Sequence, residues 1–265
     1  MSRLPAALLA LSALAACAST GDNGAEQAAL GGGEQQTQRP RGVDREARER
    51  IGRSDMLTQM AFWAGEYSTF PNDLEAARRF TDALRKGGRA DRAAQVATEA
   101  LARFPNDQEL LYTFGVAQIS AAHPQEALRP LALVAQADAQ NWRARSALGA
   151  ALDQLGRFDE ARRAYQEALA IRPDDPAVLT NLGVSHLMAG DAEGAEAILR
   201  QASALPQAPP EARANLAIAL ALSGRFQEAE QLQRVDLPPA QAQANVTYLR
   251  GLLSDNRRWG DLRSR

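Results

Sequence analysis

Four alanines, Ala127, Ala161, Ala195 and Ala229, stand 34 residues apart. A second set keeps the same register: Phe114-Gly115, Leu148-Gly149, Leu182-Gly183 and Leu216-Ala217. Two markers sharing one period predict a stack of copied helix pairs, each burying its apolar face on its neighbours, in place of a single closed core. A stack of this kind presents surface to partners and requires no chemistry of its own.

Composition narrows the options further. The chain has 265 residues and a net charge of −2, so there is no electrostatic reason to expect a nucleic acid partner. Its 30 basic residues include a single Lys, Lys86, which reads as a bias toward Arg and not as a clustered patch. One cysteine excludes an intrachain disulfide, so packing must hold the fold.

The N-terminus reads differently from the rest. Arg3 precedes an apolar run from Leu4 to Ala16 that ends in small residues, the pattern of an export signal over 1–16. The run falls short of the ~20 apolar residues needed to cross a bilayer as a helix. Leu14-Ala15-Ala16-Cys17 resembles the bacterial lipobox, which implies acylation of Cys17; the alternative is an ordinary signal peptide with an incidental cysteine. Each lipid CH₂ contributes roughly 0.8 kcal/mol to anchoring, so several acyl chains on one residue attach durably. Ala18 stands where lipoproteins retained at the inner membrane commonly carry Asp, and the resemblance therefore implies the outer membrane, facing the periplasm. Residues 17–43, with Gly31-Gly32-Gly33 and Gln35-Gln36, show no apolar period and read as a flexible tether with an r.m.s. span of roughly 25–30 Å.

The array itself is similar to tetratricopeptide repeats, which implies an all-α, right-handed solenoid. The clearest copy is 142–175: Leu148-Gly149 and Leu152 in a first helix, Gly156 at its end, Asp159-Glu160 at the start of a second helix, then Ala161, Tyr165, Ala168 and a closing Pro173. The same elements place copies at 74–107, 108–141, 176–209 and 210–243. A helix from about Asp44 to Tyr67, within 44–73, reads as an N-terminal cap. A last helix from Ala240 to about Ser254, within 240–265, covers the open end, with a frayed tail from Asn256.

No catalytic or metal constellation is legible. His123 sits in a turn before Pro124, and His186 occupies an aromatic position of a first helix, which favours packing over ligation. The turn carboxylates are explained as helix starts. The expectation is a non-enzymatic protein with no cofactor, no metal and no small-molecule substrate.

Resemblance to the repeat family implies that positions 2, 5, 6, 9 and 12 of each copy face a concave groove. These give Tyr112 and Val116, Arg143 and Ser146, Thr180, Asn181 and Val184, and Asn215 and Ile218 as partner-binding residues. They also include Thr113, Ile119, Asp153, Leu187 and Ala221, of which Ile119 and Leu187 serve equally well as packing between copies. Asn181 and Asn215 match the amides that pair with a ligand backbone in peptide-binding copies. The floor of Val116, Val184 and Ile218 favours an apolar helical or extended segment. Arg78, Arg79, Asp82, Arg85 and Lys86 along the first copy read as a solvated charged face.

Leu237-Pro238-Pro239 and Asn245-Val246-Thr247-Tyr248-Leu249-Arg250, together with the lipobox and residues 70–255, resemble the TadD family of tight-adherence (Flp) pilus assembly lipoproteins. That resemblance implies a role in assembling or localising a secretin or other pilus subunits. A scaffold for another envelope system, such as a pilotin-like or outer-membrane protein assembly factor, is the alternative, and a cell-wall enzyme or its accessory is a third.

Overall fold

A computed structural model describes residues 45–263, with side chains over 46–254. The signal peptide, Cys17 and the tether expected over 1–43 lie outside the described residues. Among those described there is no strand. Two short helices, α1 (Arg45–Ile51) and α2 (Met56–Thr69), precede five helix pairs: α3 (Leu74–Lys86) with α4 (Ala90–Leu101), α5 (Gln108–Ser120) with α6 (Pro124–Ala137), α7 (Trp142–Gln154) with α8 (Phe158–Ile171), α9 (Pro176–Met188) with α10 (Ala192–Ala204), and α11 (Pro210–Leu222) with α12 (Phe226–Gln233). A long helix, α13 (Pro239–Arg263), follows. Both first and second helices begin every 34 residues.

The first helices start on a series of side-chain caps. Asp73, Asp107, Asn141 and Asp175 each accept a hydrogen bond from a backbone N–H three residues on, at 3.1, 3.0, 3.0 and 3.1 Å. Each satisfies a donor that the helix itself leaves unpaired. These caps are a third 34-residue marker, and the sequence reading did not use it. The fifth copy departs: α11 starts at Pro210 after Pro209, with no side-chain cap. The first helices end on a left-handed residue, Gly88, Gly156, Gly190 and Gly224 at φ 73°, 71°, 84° and 80°. In the second copy the position is Ala122, at φ 60°. A Cβ there is strained by roughly 1 kcal/mol.

Within a pair, the helices cross where one residue has no side chain. A Cβ on Gly115 would fall 2.6 Å from Leu131, on Gly149 2.7 Å from Tyr165, and on Gly183 2.5 Å from Leu199. Leu131, Tyr165 and Leu199 are all but fully buried by this approach. Ala127, Ala161, Ala195 and Ala229, the alanines of the period, are also wholly buried.

The N-terminal cap differs from the single helix expected. Gly52 ends α1, Ser54 Oγ donates to the Ile51 carbonyl (2.8 Å), and the Asp55 carboxylate starts a new helix by accepting from the Thr58 N–H (2.9 Å). Local capping thus overrides the continuous apolar pattern. Arg48 holds the short α1 in place. Its guanidinium donates to Glu66 (2.7 Å), Asp73 (2.6 Å) and Glu75 (2.8 Å) and lies 5.6 Å over the Trp63 ring. At the other end, Ala242 and Val246 of α13 are buried, and the Asn245 amide donates to Gln233 Oε1 of α12 (3.0 Å). The frayed tail expected from Asn256 is instead helical to Arg263, there being no proline after Pro239 to stop it.

Two substitutions separate these effects. Gly149→Ala is expected to destabilise by about 1–3 kcal/mol through overpacking against Tyr165. Ala122→Gly relieves the left-handed strain and is expected to stabilise by up to about 1 kcal/mol. Chemical denaturation of both variants checks the pair; equal, small effects would refute the crossing argument.

Candidate partner-binding groove

Successive first helices pack directly on one another, α3 on α5, α5 on α7, α7 on α9 and α9 on α11. Each second helix makes its main contacts with the first helices on either side. The first helices therefore crowd one side of the stack and line its concave face, while the second helices splay outward.

The expected groove residues fall into two groups. Tyr112, Val116, Asn181, Val184 and Ile218 are half-buried, and Arg143 is exposed. These side chains keep surface free for a ligand. Thr113, Ser146, Thr180 and Asn215 lie deeper, at 3%, 7%, 5% and 6% exposed. Thr180 uses its hydroxyl to donate to the Pro176 carbonyl (2.6 Å). Asn181 reaches across the joint between copies and donates to Ser146 Oγ at 3.4 Å. The Asn215 amide is deeply set yet makes no hydrogen bond within the described residues, so its donor and acceptor remain available. Leu187 and Ala221 are buried against α11 and its neighbours, and Ile119 packs beside Ala127 and Ala151.

Arg143 lies over the Trp142 ring at 4.7 Å, and Arg172 lies 5.6 Å from the same ring. Burial pushes the Tyr112 hydroxyl above its ordinary pKa, while the charges of Arg85 and Arg143 pull against that shift.

Asp153 has a different role from an open groove position. Tyr165 donates to its Oδ2 (2.9 Å) and Ser185 donates to its Oδ1 (2.7 Å). The three residues tie α7, α8 and α9 together, so they lock the third copy to the fourth. In the other copies the Asp153 position holds Arg85, Ile119, Leu187 or Ala221, and the Ser185 position holds Ala83, Ala117, Ala151 or Ala219. Sequence reasoning missed this network, although Ser185, at a position that is Ala in every other copy, was its visible signal. Burial pushes the Asp153 carboxyl up to about 6, against the two hydrogen bonds, which lower it.

His186 Nδ1 lies 2.7 Å from Asp191 Oδ2, and Asp191 also caps α10 by accepting from the Gly194 N–H (2.9 Å). His186 is thereby engaged at a helix start. His123 is the exposed residue before α6. Among the described residues no group of three or more His, Cys, Asp or Glu is placed to hold a metal, and no helix is long and apolar enough to cross a membrane.

Tetratricopeptide-repeat family models match residues 123–182 and 152–209, and a further one matches 210–232. A TPR repeat-containing protein of Pseudomonas aeruginosa is 33% identical over 122 residues, covering 46% of this chain and 21% of that protein's length. Among solved structures, a thermophilic TPR protein of Thermus thermophilus superposes with a TM-score of 0.58 at 23% identity, over 66% of this chain and 97% of that one. MamA superposes with a TM-score of 0.50 at 27% identity, over 59% of this chain and 89% of that one. Residues 123–232 therefore match tetratricopeptide repeats, and arrays of such repeats serve as scaffolds for protein interaction.

The Asp153 network yields a pH prediction. Its folded pKa is raised above the unfolded value of about 3.9, so the folded state holds the extra proton between the two. Its contribution is fully present below about pH 4, is lost as pH rises through about 6, and amounts to about 2–3 kcal/mol. Asn at this position accepts from Tyr165 and donates to Ser185 without ionising. Asp153→Asn is expected to remove that step from the melting temperature between pH 4 and 6.5. A variant profile parallel to wild type would contradict the assignment.

Proposed function

We propose that this chain is a lipid-anchored outer-membrane protein that holds a protein segment in its concave groove during assembly of the tight-adherence (Flp) pilus machinery. The observation that carries the holding role is the row on the first helices: unpartnered Asn215, half-buried Asn181, and between and beside them the partly open Val116, Val184 and Ile218. Such a row gives a ligand backbone an amide to pair with and its side chains an apolar floor. The work is capture and positioning, with no bond made or broken.

The envelope assignment draws on the sequence. Cys17 after Leu14-Ala15-Ala16 supports lipidation, and Ala18 supports the outer membrane. Leu237-Pro238-Pro239 and Asn245 to Arg250 support the TadD family, with a secretin or another pilus subunit as partner. A second reading, a scaffold for another envelope system, is favoured by one observation. Much of the C-terminal signature is accounted for by packing, since Val246 is buried, Leu249 joins the α11 cluster and Asn245 pairs with Gln233. Tyr248, half exposed, is the signature residue that packing leaves unexplained.

In-envelope crosslinking with partner identification tests the first reading; recovery of subunits of an unrelated assembly machine would transfer the role to the second. Asn181→Ala combined with Asn215→Ala is expected to reduce recovery of the crosslinked partner about tenfold or more, as two buried amide contacts are lost. Unchanged recovery would sink the groove. Cys17→Ala is expected to abolish lipid labelling and membrane fractionation, and persistent labelling would rule out the anchor.

A further inference from the structure

The crossing position recurs once more beyond the fifth copy. Gly251 of α13 stands 34 residues after Ala217, which follows Gly183, Gly149 and Gly115 at the same interval. Val246 likewise follows Ala212, Val178, Ala144 and Leu110, and all five are buried. α13 packs on α12 and on α11, just as α5, α7, α9 and α11 pack on the second and first helices before them. It is therefore a sixth first helix, held in register. No second helix crosses it among the described residues: a Cβ on Gly251 meets nothing within 4 Å, where the earlier glycines meet Leu131, Tyr165 and Leu199. Covering the end of the stack thus leaves the concave side of α13 in line with the rest.

Two rows run along that side. At the ninth position of the copies, Val116, Ala150, Val184 and Ile218 are followed by Leu252, and all five aliphatic side chains are half-buried. In the first copy this position is Asp82, tied to Arg85 and Lys86 at 2.7 Å, so the apolar floor starts at α5. At the fifth position, Tyr112 and Tyr248 bracket Ser146, Thr180 and Ala214. The small middle residues make a trough. The two rings stand at its ends, Tyr112 half-buried and Tyr248 half exposed.

We infer that the partner protein lays an extended segment in this trough, from Tyr112 to Tyr248, and that α13 is part of the binding surface as well as the end of the stack. The inference rests on the groove reading above. It adds the C-terminal limit of the groove and the conformation and length of what fills it. Asn215 decides the conformation. Its amide is more than nine-tenths buried and makes no hydrogen bond among the described residues, so it calls for a donor and an acceptor together. An extended backbone offers both, whereas the backbone groups of a helix are taken up within it, apart from its ends. Length follows from packing. Four joints separate α5 from α13. At about 8–10 Å for each joint, the trough runs about 32–40 Å. An extended segment covers that with about 10–12 residues, a helix with about 21–27.

The test places a photoreactive benzoylphenylalanine at Tyr112 or at Tyr248, whose shape it nearly keeps, in the full-length protein in its native envelope. Arg163, exposed on α8, is the control position. Both tyrosine positions are expected to crosslink one segment of one partner protein, at residues about 10–12 apart. A separation of about 21–27 residues overturns the extended form. Crosslinks from one tyrosine position alone overturn the role of the full trough and leave the groove reading standing. If neither position exceeds the Arg163 control, the groove reading itself fails and the inference with it. Crosslinks to a second copy of this chain, in place of another protein, also overturn it. Tyr248→Ala is expected to lower the crosslinking yield at Tyr112 about tenfold. An unchanged yield, with circular dichroism showing a folded array, overturns the contribution of α13.

Discussion

The close crossing of the two helices in each copy is the constraint on which the rest depends. At one position of the first helix there is room for a backbone and little else, because a large residue of the second helix fills the space. The pairs are Gly115 with Leu131, Gly149 with Tyr165, and Gly183 with Leu199. At the same register the outer copies trade volume: Thr81 and Ala97 in the first, Ala217 and Gln233 in the last, all buried. One side gives up bulk as the other gains it, as a close-packed interior demands. With this separation fixed, the first helices stack on each other, and the side chains facing their common concavity become a groove.

Much of this was legible in the chain because period and fold are the same fact here. The recurring Gly and Ala positions mark where helices turn and where they touch, so the copies could be read without knowing any contact. Helix ends set by local hydrogen bonds were harder. Ile51, Met56, Leu57 and Met60 read as one apolar stripe, but Ser54 and Asp55 divide it by satisfying orphan backbone groups. Register also told where Ser146, Thr180 and Asn215 point but not how deep they sit, since depth depends on the size of residues one copy away. Asp153 shows the same limit. Its partners, Tyr165 and Ser185, come from two other helices, and no spacing rule links the three.

The coupling between copies combines ion pairs with apolar packing along the array. At the N-terminal end, capping carboxylates serve twice. Asp73 caps α3 and pairs with Arg48; Asp107 caps α5 and pairs with Arg78. Burial alone would raise the Asp107 carboxyl, but Arg78 and the Leu110 N–H together hold it below the usual carboxylate range. Asn141 keeps the cap without the charge, and Pro209 has neither. Toward the C-terminus, Arg225 pairs with Glu196 of the preceding copy at 2.5 Å, beside aliphatic packing around Leu216, Leu220 and Val246.

A stack of repeats is held together joint by joint, and its joints need not be equal. Here one joint, between the third and fourth copies, contains a buried acid that accepts two hydrogen bonds and whose pKa is still held up by its burial. As pH rises through that pKa, the joint loses a contribution that the others keep. Asn181 and Ser146 span the same seam. A segment lying in the groove across it would touch both copies and oppose their separation.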